Sequence, residues 1–262
     1  MGGTRWSAVL AAMVALLVVP AATAYAQPIP SLRGSIGTEY ANQMVRNGAE
    51  AHIWQGSGEI VGDLNRQGLQ YQANFSYGHV DQPTRYMRSL RAGGALLMRN
   101  WAGVFGPAVN YNITMGDFRV HYLSYGIFTD INVSESFTIF SKAGLFNGTV
   151  NFKGAYYGLG FRFYPMPNIA LTAKTQRIDF RSSSGYGDYN DYSLMAEYLI
   201  GSFTPVSLYG GYTYSDIPSG IKYDTWTLGL RFYIGNDAGW LVNHHRQDAV
   251  RDPYMDVRSI GL

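Results

Sequence analysis

The feature that most constrains this chain is an alternation of side-chain character, clearest in YYGLGFRFYP at residues 156–165. One set of alternate positions is apolar, namely Tyr157, Leu159, Phe161 and Phe163. The positions between them are small or polar and include Arg162. Because successive side chains of a β-strand point to opposite faces, this pattern predicts a strand with one apolar and one polar face. The apolar face lies inside a soluble β-sandwich and outside a membrane barrel.

The same alternation recurs along the chain and predicts a β-rich fold. It extends over ten or more residues in 67–80, 190–200, 205–217 and 222–234, which is typical of transmembrane barrel strands. The full segmentation predicts twelve strands, with ten or fourteen left open: 34–43, 49–60, 67–80, 91–99, 105–114, 117–131, 136–146, 152–165, 168–181, 190–200, 205–217 and 222–234. Segment 117–131 breaks the alternation, so we expect a β-bulge there.

Composition separates the membrane barrel from a soluble sandwich or lipocalin-like barrel. Charged residues make up 15% of the chain, against about 25% in ordinary soluble domains. In the soluble alternative, the water-facing side would be poor in Lys and Glu, and sparsely charged strand edges would pair with neighbouring molecules. The net charge of +2 does not indicate a nucleic-acid partner. The prediction is therefore an all-β protein, a transmembrane antiparallel up-and-down β-barrel in the bacterial outer membrane.

The N-terminus has the features of a secretory signal peptide, predicted to span residues 1–26. Arg5 supplies the positive charge, 8–19 the apolar core and 22–26 the small residues of the cleavage site. The apolar run is shorter than the ~20 residues of a membrane-spanning helix, which argues against a retained anchor. The remaining predicted parts are an N-terminal periplasmic segment (27–33), the barrel (34–235) and a periplasmic tail (236–262).

The connections between the predicted strands suggest an orientation. VSES, PMPN and GSFTP are short, whereas FNGTVNFKG, RSSSGYGDYN and DIPSGIKY are longer. Short periplasmic turns and longer extracellular loops are typical of bacterial barrels. We therefore expect the longer group outside the cell and both termini in the periplasm.

Three features together resemble the small porin-like barrels of Gram-negative bacteria, with an alphaproteobacterial source favoured. They are the signal peptide, the stretch GGALLMRNWAGVFGPAVNY (93–111) and TWTLGLRFYIG (225–235), which resembles a C-terminal outer-membrane strand signal. Barrels of that family usually end on the aromatic residue of this signal. This chain continues as the tail 236–262, a departure that argues against a plain stand-alone porin.

Five charged residues fall on the polar faces of the later strands and are the predicted lumen-lining site: Lys142, Arg162, Lys174, Glu197 and Arg231. One interpretation is a mostly basic ring that narrows a pore and favours anions. The other is an internal ion-pair network, Glu197 with Arg162 or Arg231, because charges inside a barrel need partners or water. We favour the network, with a narrow pore as its consequence.

No catalytic or metal site is predicted, and no cofactor is expected. A lipid hydrolase is the less favoured third function, and His121 with Ser124 is its nearest candidate pair. Three residues apart in a strand, these two side chains fall on opposite faces and about 10 Å apart. His244 and His245 lie near two aspartates of the tail, but the spacing matches no known ligand set.

Two functions remain open. The first is a narrow passive channel for small hydrophilic solutes. The interior of a barrel is filled by side chains at about eight strands and is an open channel at sixteen to eighteen, and twelve lies between these numbers. The second is a structural or assembly role, with the tail 236–262 bound to a periplasmic or envelope protein. The expected surroundings are outer-membrane lipid and lipopolysaccharide. The tail contains large apolar residues such as Trp240 and Leu241, so we expect it to fold against the lumen mouth or a partner.

Overall fold

Twelve antiparallel strands pair in chain order in this computed structural model, and the pairing of the last strand with the first closes the barrel. The strands are β1 (Arg33–Val45), β2 (Glu50–Asp63), β3 (Leu69–Gln82), β4 (Arg85–Asn100), β5 (Gly103–Met115), β6 (Arg119–Ser134), β7 (Phe137–Gly148), β8 (Lys153–Met166), β9 (Ile169–Ser182), β10 (Gly185–Ile200), β11 (Val206–Ile217) and β12 (Ile221–Ile234). A helix, α1 (Leu241–Gln247), follows.

The structure describes most of the predicted barrel and a short part of the tail. The described residues are 32–45, 50–65, 67–82, 85–116, 119–149, 151–182, 185–200, 205–217, 221–235 and 240–247. The predicted signal peptide, residues 27–31 of the predicted N-terminal segment, and tail residues 236–239 and 248–262 lie outside them. Within these ranges, no helix has the length and apolar character needed to cross a membrane.

The aromatic face of the alternating strands lies on the outside of the barrel. Tyr157, Leu159 and Phe161 of β8 are 47%, 56% and 48% exposed, whereas Arg162, the residue that follows Phe161, is 7% exposed. Trp226 and Leu228 of β12 are exposed in the same way. An outer face made of exposed aromatic and aliphatic side chains is stable in contact with lipid and not with water. This arrangement is that of a membrane barrel. The prediction of an all-β, twelve-strand transmembrane barrel is confirmed.

The glycines of the inner face of β8 make room for side chains of β7. A Cβ added to Gly160 would lie 2.3 Å from the ring of Phe140, and one added to Gly158 would lie 3.2 Å from Lys142 Cε. Both glycines therefore allow a large neighbour to lie flat against the barrel wall. This packing explains why small residues occupy alternate positions in YYGLGFRFYP.

We call the end where β1 begins and β12 finishes the terminal end, and the other the distal end. The segments interpreted as longer loops are mostly strand: for example, only residues 183–184 separate β9 from β10. Connections contain two to four residues at the distal end and two to five at the terminal end. The prediction of longer loops on one side was therefore wrong. The strands themselves are 12 to 16 residues long, and a bilayer needs only about 9–11.

The extra strand length is at the distal end, where the outer face becomes charged. Arg177 of β9 forms ion pairs with Asp179 at 2.9 Å and with Asp188 of β10 at 3.1 Å. Because such groups do not face hydrocarbon, the strands extend beyond the membrane at this end. The polar segments that were interpreted as loops are therefore strand ends that extend into water.

The β-bulge expected within 117–131 is not found there. β6 pairs with β5 without interruption from Arg119 to Ile131, and the register shift lies just beyond, between Asn132 and Ser134 opposite β7. The alternation breaks because two aromatic residues of β6, Tyr122 and Phe128, are buried inside the barrel. An aromatic residue on the inner face interrupts the alternation of apolar and polar residues in the sequence, and a β-bulge interrupts it in the same way.

Candidate functional site in the lumen

The barrel encloses a polar cavity of about 190 Å³ in its middle. Hydroxyl, amide and charged side chains from strands all round the barrel line it. Since one buried water takes up roughly 10–15 Å³ of such a cavity, there is room for on the order of ten waters. The middle of the barrel is therefore a polar compartment large enough to hold water.

All five charged residues predicted from the sequence line this cavity: Lys142, Arg162, Lys174, Glu197 and Arg231. The first three lie on the adjacent strands β7, β8 and β9. The other two form an ion pair, with Arg231 Nη1 3.2 Å from Glu197 Oε2. Arg162 lies over the ring of Phe140, 5.5 Å from its centroid.

Five further charged residues of the lining were missed, namely Glu39, Glu59, Arg91, Asp130 and Asp191. The sequence analysis took its charges from the later strands, where the alternation is clean. The same alternation places Glu39 and Glu59 on the inner faces of β1 and β2, so it could have found them. With these residues included, the lining contains five acids and five bases. The interpretation as a mostly basic ring therefore does not hold, and the Glu197–Arg231 ion pair agrees with the internal network that was favoured.

The charges of the lining are separated into two halves of the barrel. The five neighbouring strands from β10 through β12 to β2 carry four acids and one base, a net charge of −3: Glu39, Glu59, Asp191, Glu197 and Arg231. The strands β3 to β9 carry four bases and one acid, a net charge of +3: Arg91, Asp130, Lys142, Arg162 and Lys174. An electric field therefore crosses the lumen from the basic half to the acidic half.

Glu197 is the centre of a hydrogen-bond network at the terminal end. Its carboxylate accepts bonds from Ser207 Oγ at 2.5 Å, from the Tyr233 hydroxyl at 2.7 Å and from Arg231. His245 Nε2 of α1 lies 3.3 Å from the same carboxylate. A buried carboxylate is stable when several donors surround it, as they do here. This site is both part of the lumen lining and the anchor of α1.

Helix α1 lies across the terminal mouth of the barrel. Leu241 is fully buried and packs in a cluster with Tyr164, Ala170, Leu199 and Tyr233 of the wall. The ring of His244 stacks on that of Tyr233, with centroids 4.2 Å apart. His245 Nδ1 lies 3.1 Å from the Tyr164 hydroxyl. The part of the tail that the structure describes, residues 240–247, therefore folds against the lumen mouth, one of the two arrangements expected from its sequence.

The far end of α1 contacts the opposite wall. Arg99 of β4 donates to the backbone carbonyl of Arg246, and the Arg246 guanidinium donates to the carbonyl of Ser134. β4 and β10 are six positions apart in a closed barrel of twelve strands, so they stand on opposite sides. Since α1 contacts Arg99 on β4 and Leu199 on β10, it bridges the mouth.

An aromatic cluster narrows the distal end of the lumen. Inward side chains of β6 to β10, with one residue from the β7–β8 connection, pack together: Tyr122, Phe146, Phe152, Tyr156, Ile178 and Tyr189. These side chains occupy one side of the distal opening. The polar cavity thus lies between this aromatic cluster and α1.

The His121 and Ser124 side chains, considered as a catalytic pair from the sequence, lie on opposite faces of β6 and have separate partners. His121 Nδ1 lies 2.8 Å from the Tyr111 hydroxyl on the outer face. Ser124, on the inner face, is buried and its hydroxyl is directed at the Asn110 carbonyl at 3.4 Å. Among the residues that the structure describes, no group of three or more potential ligands could hold a metal ion.

Comparison with known proteins supports the fold. No protein-family model matches the chain, and no curated protein matches it in sequence. An outer-membrane channel from Pseudomonas putida F1 is similar in structure, with a TM-score of 0.60, 12% identity and coverage of 80% of this chain and 97% of that one. The translocator domain of the autotransporter NalP from Neisseria meningitidis has a TM-score of 0.53, 10% identity and coverage of 87% and 97%. A mutant of the TodX monoaromatic hydrocarbon channel has a TM-score of 0.51, 9% identity and coverage of 83% and 93%.

These identities show a shared fold and assign no family. The predicted resemblance to small porin-like barrels therefore holds only at a coarser level: the chain is similar to outer-membrane barrels of several kinds, which include a channel and an autotransporter translocator domain. Together with the lipid-facing outer surface, the comparisons identify the chain as a closed twelve-strand β-barrel of the bacterial outer membrane.

Proposed function

We propose that this protein is a narrow passive channel for small hydrophilic solutes, porin-like in its action, and that α1 closes its terminal end. The observation that supports it best is the cavity of about 190 Å³, lined by polar and charged groups from strands all round the barrel. A barrel whose role was only mechanical would be stabilised more simply by a packed interior. The structural similarity to outer-membrane channels agrees with this function.

The closing role of α1 follows from its position. Its contacts bridge opposite walls at the terminal mouth, so solutes that pass this end must displace it. The helix has only seven residues and is too short to be stable without its packing. We infer that the wild-type channel alternates between a closed state with α1 docked and an open state with α1 released.

Conductance in planar bilayers tests both parts of the proposal. Leu241→Asp places a charge in the fully buried contact of α1 and should release the helix, which raises the single-channel conductance several-fold over the wild type. Trp240→Ala is the matched control, because this side chain is half exposed and its loss should leave conductance unchanged. Absence of current in both the wild type and Leu241→Asp would contradict the channel function.

A second candidate function is an assembly role through the terminal end. Two tryptophans are exposed there, Trp101 in the β4–β5 turn at 91% and Trp240 before α1 at 50%. Exposed tryptophans favour protein interfaces and membrane interfaces alike. If a periplasmic protein binds here, it should co-purify with the wild type and be lost from Trp101→Ala. Unchanged co-purification would argue against this role.

A further inference from the structure

We infer that the lumen cavity binds small zwitterions of the size of an α-amino acid, with the ammonium group toward the acidic half and the carboxylate toward the basic half. The inference rests on the proposed channel function and specifies its class of solute. It depends on the arrangement of the charges, which is bipolar, and not on their sum, which is zero for the residues that line the cavity.

The opposite charges face each other at matching depths. Glu59 of β2 and Arg162 of β8 each lie four residues before the terminal end of their strand. Glu39 lies six residues into β1, and Lys142 five residues into β7. In each pair the two strands are six positions apart in the closed barrel, so the two charges stand on directly opposite walls.

The wall groups are held in place by their neighbours. The Tyr209 hydroxyl donates to Glu39 Oε2 at 3.0 Å, and Ser35 Oγ donates to Glu59 Oε1 at 2.8 Å. On the basic side, Gly158 lets the Lys142 side chain lie close along the wall, because a Cβ there would be 3.2 Å from Lys142 Cε. These contacts hold the acidic and the basic side chains against their own walls, and the cavity lies between the two walls.

This field discriminates between solutes by their charge distribution. An anion attracted by the basic half is repelled by the acidic half, and the reverse holds for a cation, so neither gains much from entry. A solute with one charge of each sign gains from both halves in a single orientation. The size of the cavity and its position between α1 and the distal aromatic cluster limit this solute to a small molecule.

Liposome swelling with two isomers tests the inference. Alanine is a zwitterion, and lactamide has the same atoms without charges. In the full-length Leu241→Asp protein, alanine should enter roughly tenfold faster than lactamide after subtraction of protein-free liposomes, because two water-screened ion pairs each contribute a few-fold. Equal rates through a conducting channel would overturn the inference and leave the proposed function standing. Entry of neither solute, without ionic current, would overturn both.

Neutralising one wall at a time identifies the groups responsible. In the same background, Glu39→Gln with Glu59→Gln should remove the preference for alanine and shift ion selectivity toward anions. Lys142→Gln with Arg162→Gln should also remove the preference but shift selectivity toward cations. A preference for alanine that persists in both variants would overturn the inference.

A matched control removes one acid and one base from the outer face. Glu50→Gln with Lys153→Gln changes two exposed residues and should keep the preference for alanine. Folding of every variant is checked by its electrophoretic mobility before and after heating. If a double variant does not fold, the single changes Glu39→Gln and Lys142→Met test the same comparison, and retention of the full preference in both would overturn the inference.

Discussion

Replacement of Glu197 by alanine should be strongly destabilising, because this side chain is the acceptor for several buried donors. Glu197 is 7% exposed, and its partner Arg231 has a side chain that is 16% exposed. The substitution removes the nearest carboxylate from Arg231, together with the acceptor for Tyr233 and Ser207. It also removes the contact of the carboxylate with His245 of α1.

The magnitude follows from these contacts. Removal of one partner from a buried ion pair costs about 3–5 kcal/mol. Two features reduce the cost here, since the cavity has room for water beside Arg231 and Glu59 also attracts Arg231. We therefore expect a loss of about 3 kcal/mol in the free energy of unfolding, at the lower limit of that range. Glu197→Gln, which keeps an oxygen acceptor but loses the charge, should lose about half as much.

Urea unfolding of the protein in phospholipid vesicles, followed by tryptophan fluorescence, measures this difference. Glu50→Ala is the control, because Glu50 is exposed on the outer face and its loss should change stability by no more than about 0.5 kcal/mol. A loss below about 1 kcal/mol for Glu197→Ala would refute the argument that this network stabilises the barrel. Glu197→Ala should also raise conductance, since it weakens the docking of α1.

Three further predictions test the two faces and the orientation of the barrel. Gly160→Val should destabilise the protein by about 1–3 kcal/mol in the same urea assay, because its side chain would overlap the ring of Phe140; stability equal to the wild type would show that the ring moves freely. Leu228→Arg should cost about 2–4 kcal/mol, since an outward position within the membrane would receive a charge, and a neutral effect would place this face in water. The chain has no cysteine, so a cysteine at Tyr186, which is 80% exposed near the distal end of β10, should react with an impermeant maleimide on intact cells, and one at Asn168 should not; equal labelling of both would contradict the orientation with a periplasmic terminal end.

The lipid-facing surface could be predicted from the sequence because it depends on a local property. Alternation along a strand assigns each side chain to a face without knowledge of its neighbours. Segment 156–165 alone therefore predicted a strand with Arg162 on the face opposite its aromatic residues, and the low charge content of the chain then placed the aromatic face outside. Counting such segments predicted twelve strands, which the closed barrel confirms. The predicted strand ends were wrong where the strands extend into water, because the outward-facing residues there are as polar as those of a loop.

The arrangement of the lumen was decided by the tertiary structure. A strand pattern places Glu59 and Arg162 inside the barrel, but only the order of pairing and the closure between β1 and β12 put them on opposite walls. The docking of α1 depends in the same way on residues far apart in sequence, such as Arg99 and Glu197. Local patterns cannot contain this information, because the facing of two walls is a property of the closed sheet and not of any one strand.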